Sequence, residues 1–81
     1  MTAMTSTAHP LVKQHDFIPR RMLIGTSTLH ADTCWTTADG YVVYRTGAYA
    51  YWVRERNGRY ARQSTLADAH ADIAWLRAKG R

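Results

Sequence analysis

Three turn-type pairs punctuate the stretch from Thr33 to Ser64: Asp39-Gly40, Thr46-Gly47 and Asn57-Gly58. Between them apolar or aromatic residues alternate with polar ones, the period of a half-buried β-strand. Asp-Gly and Asn-Gly suit the positive φ of a tight hairpin turn, so each marks a reversal of the chain. Thr46-Gly47 is the weaker signal of the three. Together they lead to an antiparallel β-meander with strands expected at roughly 33–38, 41–45, 48–56 and 59–64.

If every pair forms a two-residue turn, the register follows. Trp35 then faces Tyr44, Val42 faces Tyr51, Val43 faces Ala50, Trp52 faces Gln63 and Val53 faces Arg62. Alternation assigns each residue a side. One side receives Trp35, Thr37, Val42, Tyr44, Tyr49, Tyr51, Val53, Tyr60 and Arg62, and holds most of the bulky groups expected in a core. The other receives Cys34, Thr36, Tyr41, Val43, Arg45, Ala48, Ala50, Trp52, Arg54, Arg56, Arg59, Ala61 and Gln63. A one-residue bulge would exchange parts of these sets.

A helix is expected to follow. Thr65-Leu-Ala-Asp68 has the spacing of an N-cap with an acid three residues on, which also suits the positive end of the helix dipole. Arg77, Lys79 and Gly80 are suited to closing it. At about 100° per residue, Leu66, Ala69, Ile73 and Leu76 form a stripe to dock on the sheet, while Trp75 falls roughly opposite as a possible interface residue. Upstream, residues 1–10 read as a flexible tail without an apolar period. Met22-Leu23-Ile24 is an edge strand or a helical turn, and residues 26–32 a polar connection. The expected fold class is α+β: a four-stranded antiparallel meander backed by one C-terminal helix, with residues 11–81 forming a single small domain.

Charge is unevenly placed. The chain carries 11 Lys and Arg against 6 Asp and Glu, and residues 41–64 hold five of those bases, all five tyrosines and a single acid, Glu55. Concentrated positive charge draws anionic partners such as nucleic acid or an acidic protein surface. A lone cysteine, Cys34, forms no internal disulfide. With neither a signal-peptide pattern nor an apolar run of about 18 residues, the chain is expected to be soluble and cytoplasmic, with no membrane partner.

Signals for chemistry are sparse. His30, Asp32 and Cys34 alternate, yet zinc normally requires four ligands or three plus water, and the other histidines lie at unhelpful spacings. Cys34 has no identifiable base and orienting group. Asp68, His70 and Asp72 lie on a helix where residues two apart diverge by about 200°. The glycines make no phosphate-binding fingerprint. The expectation is therefore a protein that is not an enzyme and that takes no metal and no cofactor.

The remaining feature is the arginine-rich side. Arg45, Arg54, Arg56 and Arg59, with Trp52, Tyr41 and Gln63, supply planar donors for phosphate or guanine, aromatic surface for stacking and an amide able to read adenine. The leading expectation is a nucleic-acid-binding module, for DNA or RNA. The alternatives are a small protein-interaction module, such as a phage- or plasmid-type inhibitor or adaptor, and a homodimeric structural protein joined by an edge strand or Trp75. The strand Tyr51-Trp-Val-Arg54, the Asn57-Gly58 turn and the helix start Thr65-Leu-Ala-Asp-Ala69 resemble the plant-type AP2 and phage-integrase arm-binding DNA domains over about half of the chain. That likeness implies a DNA-binding sheet and assigns no individual residue.

Overall fold

Turn chemistry decides which side of the sheet each residue occupies. The computed structural model describes residues 9–81. The strands are β1 (Val12–Lys13), β2 (Arg20–Ile24), β3 (Ser27–Ala31), β4 (Thr33–Thr36), β5 (Val42–Gly47), β6 (Ala50–Arg54) and β7 (Tyr60–Gln63), followed by helix α1 (Leu66–Ala78). An antiparallel five-stranded sheet in the order β1-β4-β5-β6-β7 carries the helix, and β2-β3 is a separate hairpin. The α+β class and the meander of β4 to β7 agree with the sequence reading. The strands are more numerous than four, because residues 11–32 supply three more. The connection expected over 26–32 is largely β3, paired with β2 from Arg20↔Ala31 to Ile24↔Ser27.

The turns at Asp39-Gly40 and Asn57-Gly58 are one residue longer than expected. In the first, the Thr37 amide donates to Tyr41 O at 2.9 Å and the Gly40 amide to Thr37 O at 3.2 Å. The second repeats this, with Glu55 N–H to Arg59 O at 2.8 Å and Gly58 N–H to Glu55 O at 2.9 Å. Only the glycines have positive φ, +101° at Gly40 and +90° at Gly58, so neither turn is the two-residue type that needs positive φ at both central positions. The middle turn is Ala48-Tyr49 instead of Thr46-Gly47, with the register shifting between Arg45 and Gly47.

These changes reverse β5 and β7 and leave β4 and β6 as expected. The observed cross-strand row is Trp35, Val43, Val53 and Ala61. Tyr41, Val43 and Val53 are buried with Ala69, Ile73 and Leu76 beneath the helix. Tyr41 and Val43, expected outside, are thus core residues. Val42, Tyr44, Tyr60 and Arg62, expected inside, lie on the side away from the helix.

The helix begins and ends as its sequence directs. Thr65 Oγ1 accepts from the Asp68 amide at 3.0 Å. At the other end the amides of Gly80 and Arg81 donate to Arg77 O and Leu76 O at 3.0 and 2.8 Å, which closes the helix with a glycine at φ +73°. The apolar stripe docks, since Ala69, Ile73 and Leu76 are buried and Leu66 is partly so.

Arg77 ties three parts of the chain together. Its Nε and Nη2 donate to the two carboxylate oxygens of Asp39 at 2.7 and 2.9 Å, and Nη2 also donates to His9 O at 2.8 Å. Residues 1–8 of the expected tail lie outside the described residues, whereas His9 is held by this bond. The Arg77 hydrogen bonds hold the Asp39 carboxyl well below the usual carboxylate range. Its stabilising contribution is therefore complete above the ordinary carboxylate pKa and lost as pH falls through the depressed folded value. Asp39→Asn is expected to cost about 1–2 kcal/mol at pH 7, allowing for solvent screening at this turn. In urea titrations, the difference from wild type should shrink below about pH 4.

Candidate nucleic-acid interface

The sheet face away from the helix is built from two adjacent cross-strand rows. One is Cys34, Tyr44, Trp52 and Arg62; the other is Thr36, Val42, Arg54 and Tyr60. On β6 and β7 the two rows place Trp52 beside Arg62 and Arg54 beside Tyr60. Rings and guanidinium groups therefore alternate like the squares of a chessboard, with diagonal neighbours about 7–8 Å apart at the backbone. Arg54 and Arg62 are exposed, while Tyr44, Trp52 and Tyr60 are half-buried.

The aromatic part of this surface is held in place. Trp52 Nε1 donates to Thr46 Oγ1 at 2.9 Å, fixing the indole across β5. The Phe17 ring lies 6.0 Å from that of Tyr44, and the Arg20 guanidinium sits 5.0 Å from the Phe17 centroid. Burial raises the Tyr44 hydroxyl above the usual tyrosine value, with the charges of Arg20 and Arg54 acting in the opposite direction. Arg62 Nη2 donates to Tyr49 O at 3.3 Å, a bond that leaves its charge uncompensated. Among the described residues the ion pairs are Arg45–Asp32 and Arg77–Asp39, and neither involves Arg20, Arg54 or Arg62.

The seven residues expected on the arginine-rich side are only partly brought together. Trp52 and Arg54 share the open face. Arg45 lies on the helix side, with Nη1 3.5 Å from Asp32 Oδ1. Tyr41 is fully buried, and Arg56 stacks over its ring at 4.9 Å from the turn after β6. Arg59 is exposed in that turn, and Gln63 belongs to the helix-side row with Tyr51. The sequence reading missed Tyr44, Tyr60 and Arg62, which it placed in the core, and it gave Phe17 and Arg20 no part in the surface. A readable signal was present in Trp52-Val-Arg54 and Tyr60-Ala-Arg62, where an aromatic residue, a small apolar residue and arginine occur twice in the same order.

Among the described residues, the other candidate polar groups are placed apart. His30 is exposed on β3, Asp32 engages Arg45, and Cys34 is buried, its thiol pushed up mainly by that burial. Among the described residues no three His, Cys, Asp or Glu side chains converge. A shallow cleft lined by Pro10, Leu11, Leu66, Ala67 and His70 offers one titratable group. Among those residues also, no helix is long and apolar enough to cross a membrane.

Beneath the helix, Glu55 is buried with Oε1 unpartnered among the described residues, and Asp72 Oδ2 is in the same position. Burial raises the Asp72 pKa first and the Glu55 charge adds to it, against a hydrogen bond from Gln63. Asp72 holds its proton more tightly folded than unfolded. Stability is thus fully present below the ordinary carboxylate pKa and falls as pH rises through the raised value. Asp72→Asn, which removes the repulsion, is expected to gain less than about 0.5 kcal/mol at pH 7 because solvent screens a partly exposed group. Urea midpoints at pH 4 and pH 7 test this, and the gain should be larger at pH 7.

Comparison with protein-family models, curated proteins and solved structures finds no match. The likeness to AP2 and integrase arm-binding domains therefore rests on the sequence pattern alone.

Proposed function

We propose that this protein is a nucleic-acid-binding module whose contact surface is the open sheet face. The carrying observation is the alternation of Trp52, Arg62, Arg54 and Tyr60 on two adjacent strands, with no carboxylate in either cross-strand row. Guanidinium groups pair with phosphate through planar donors, and the rings between them offer stacking surface to bases. Tyr44, Phe17 and Arg20 extend the surface toward the β2-β3 hairpin. The cytoplasm is the proposed place of work.

Binding of labelled single-stranded and duplex oligonucleotides, followed by anisotropy across salt concentrations, tests the proposal. Neutralising Z phosphates gives a slope of log K against log salt of about −0.7Z for single strands and −0.9Z for duplex. A slope steeper than about −2 is expected, corresponding to three or more phosphates met by Arg20, Arg54 and Arg62. Absence of binding at low salt, or binding indifferent to salt, removes the proposal.

A further inference from the structure

Helix α1 is apolar on two sides, and the sheet accounts for only one of them. Ala69, Ile73 and Leu76 are buried against the sheet. On the opposite side Ala67, Ala71, Ala74 and Ala78 are all exposed, beside a Trp75 that is 50% exposed. At about 100° per residue these five side chains fall within about 100° of arc. The alanines recur at intervals of four, three and four, the spacing of a helix-pairing seam. An amphipathic helix serving one core would carry charge there.

The charges on this face identify the occupant. Asp68 in the first turn and Lys79 just past the last lie on the same flank of the helix, next to Trp75. In a two-fold antiparallel pair, each flank faces the same flank of the other copy, so Asp68 meets Lys79 across the axis. A parallel pair would set opposite flanks and like dipole ends together. Lys79 Nζ and the Arg81 guanidinium lie 5.7 and 5.6 Å from the Trp75 centroid, already gathered where a partner carboxylate would arrive. We infer that this helix face is a self-association surface, on which a second copy of the chain packs antiparallel through alanines and Trp75 and is registered by reciprocal Asp68–Lys79 pairs.

The contact is limited by length. Thirteen residues span about 20 Å, so the pair buries less than the roughly 1,200 Å² of a stable complex and dissociates at about 1–100 µM. The open sheet faces point away from the axis, which makes self-association independent of what those faces bind.

Sedimentation of nuclease-treated full chain from about 1 to 500 µM, a range that brackets this affinity, provides the test. The expected result is a reversible monomer–dimer equilibrium. Ala71→Glu, an exposed substitution by a good helix former, should abolish it by setting two carboxylates near the axis while circular dichroism stays unchanged. Asp68→Lys should weaken association tenfold or more, and combining it with Lys79→Asp should restore it. A monomer throughout, a dimer untouched by Ala71→Glu, or a charge swap that fails to restore pairing would each overturn the inference.

Discussion

Ile73→Ala is expected to remove about 3 kcal/mol of unfolding free energy, the lost transfer energy of the side chain plus the cavity left behind. Ile73 is fully buried in one cluster with Tyr41, Val43, Val53, Ala69 and Leu76. Collapse of the space is resisted from both sides, by strands locked in their ladder and by a helix capped at each end. A chain of 81 residues has about 4–12 kcal/mol to lose, so this single change takes a large share. Urea unfolding followed by tryptophan fluorescence should show a lower midpoint with an unchanged slope. A loss under about 1 kcal/mol would mean that the helix is not docked as described. Trp75→Ala, on the opposite side of the same helix, should leave the midpoint of the dilute protein nearly unchanged.

The second large effect concerns the open face. Replacing both Arg54 and Arg62 by alanine is expected to weaken single-strand binding about 25-fold at ~0.1 M salt and to flatten the salt slope by about 1.4, the release from two phosphate contacts. The paired variant Arg56→Ala/Arg59→Ala is the informative comparison. Arg56 is spent on the Tyr41 ring and Arg59 sits in the turn, so a contact surface on the open face predicts little change from them. Equal losses in the two variants would indicate general attraction to a basic protein and would sink the assignment of this face. Circular dichroism separates either result from unfolding, because Arg54 and Arg62 are exposed.

The contrast between these two arginine pairs shows where the sequence was informative. Local chemistry placed the elements well. Thr65 and Asp68 marked the helix start, Gly80 its end, and Asp39-Gly40 and Asn57-Gly58 the first and last reversals between β4 and β7, whereas the middle one fell at Ala48-Tyr49 instead of Thr46-Gly47. What they left ambiguous was loop length. Asp-Gly and Asn-Gly serve a two-residue turn with two left-handed residues and equally a three-residue turn with one, and the glycine alone takes positive φ here. One residue of difference moves every side chain of the following strand through the sheet. Tyr41 and Val43 thus changed places with Val42 and Tyr44, and Arg62 with Gln63. Trp52 and Arg54 kept their predicted side because the turn after Gly47 and the bulge before it restored the parity of β6. The β2-β3 hairpin was legible only in part, since Ser27 to Ala31 contributes one buried residue, Ala31, and one partly buried apolar residue, Leu29. With so little burial on β3, an apolar period could not emerge from its polar neighbours.

Cys34 has a consequence for the lifetime of the protein's fold. It is the chain's only thiol, buried in β4 with its ionisation suppressed, and both conditions must lapse before an oxidant or disulfide can attack it. Covalent damage at this position is therefore gated by the motion that uncovers the thiol and proceeds no faster than that motion. Added disulfide reagent turns the same residue into a clock, whose ticks count excursions of β4 that equilibrium spectroscopy averages away.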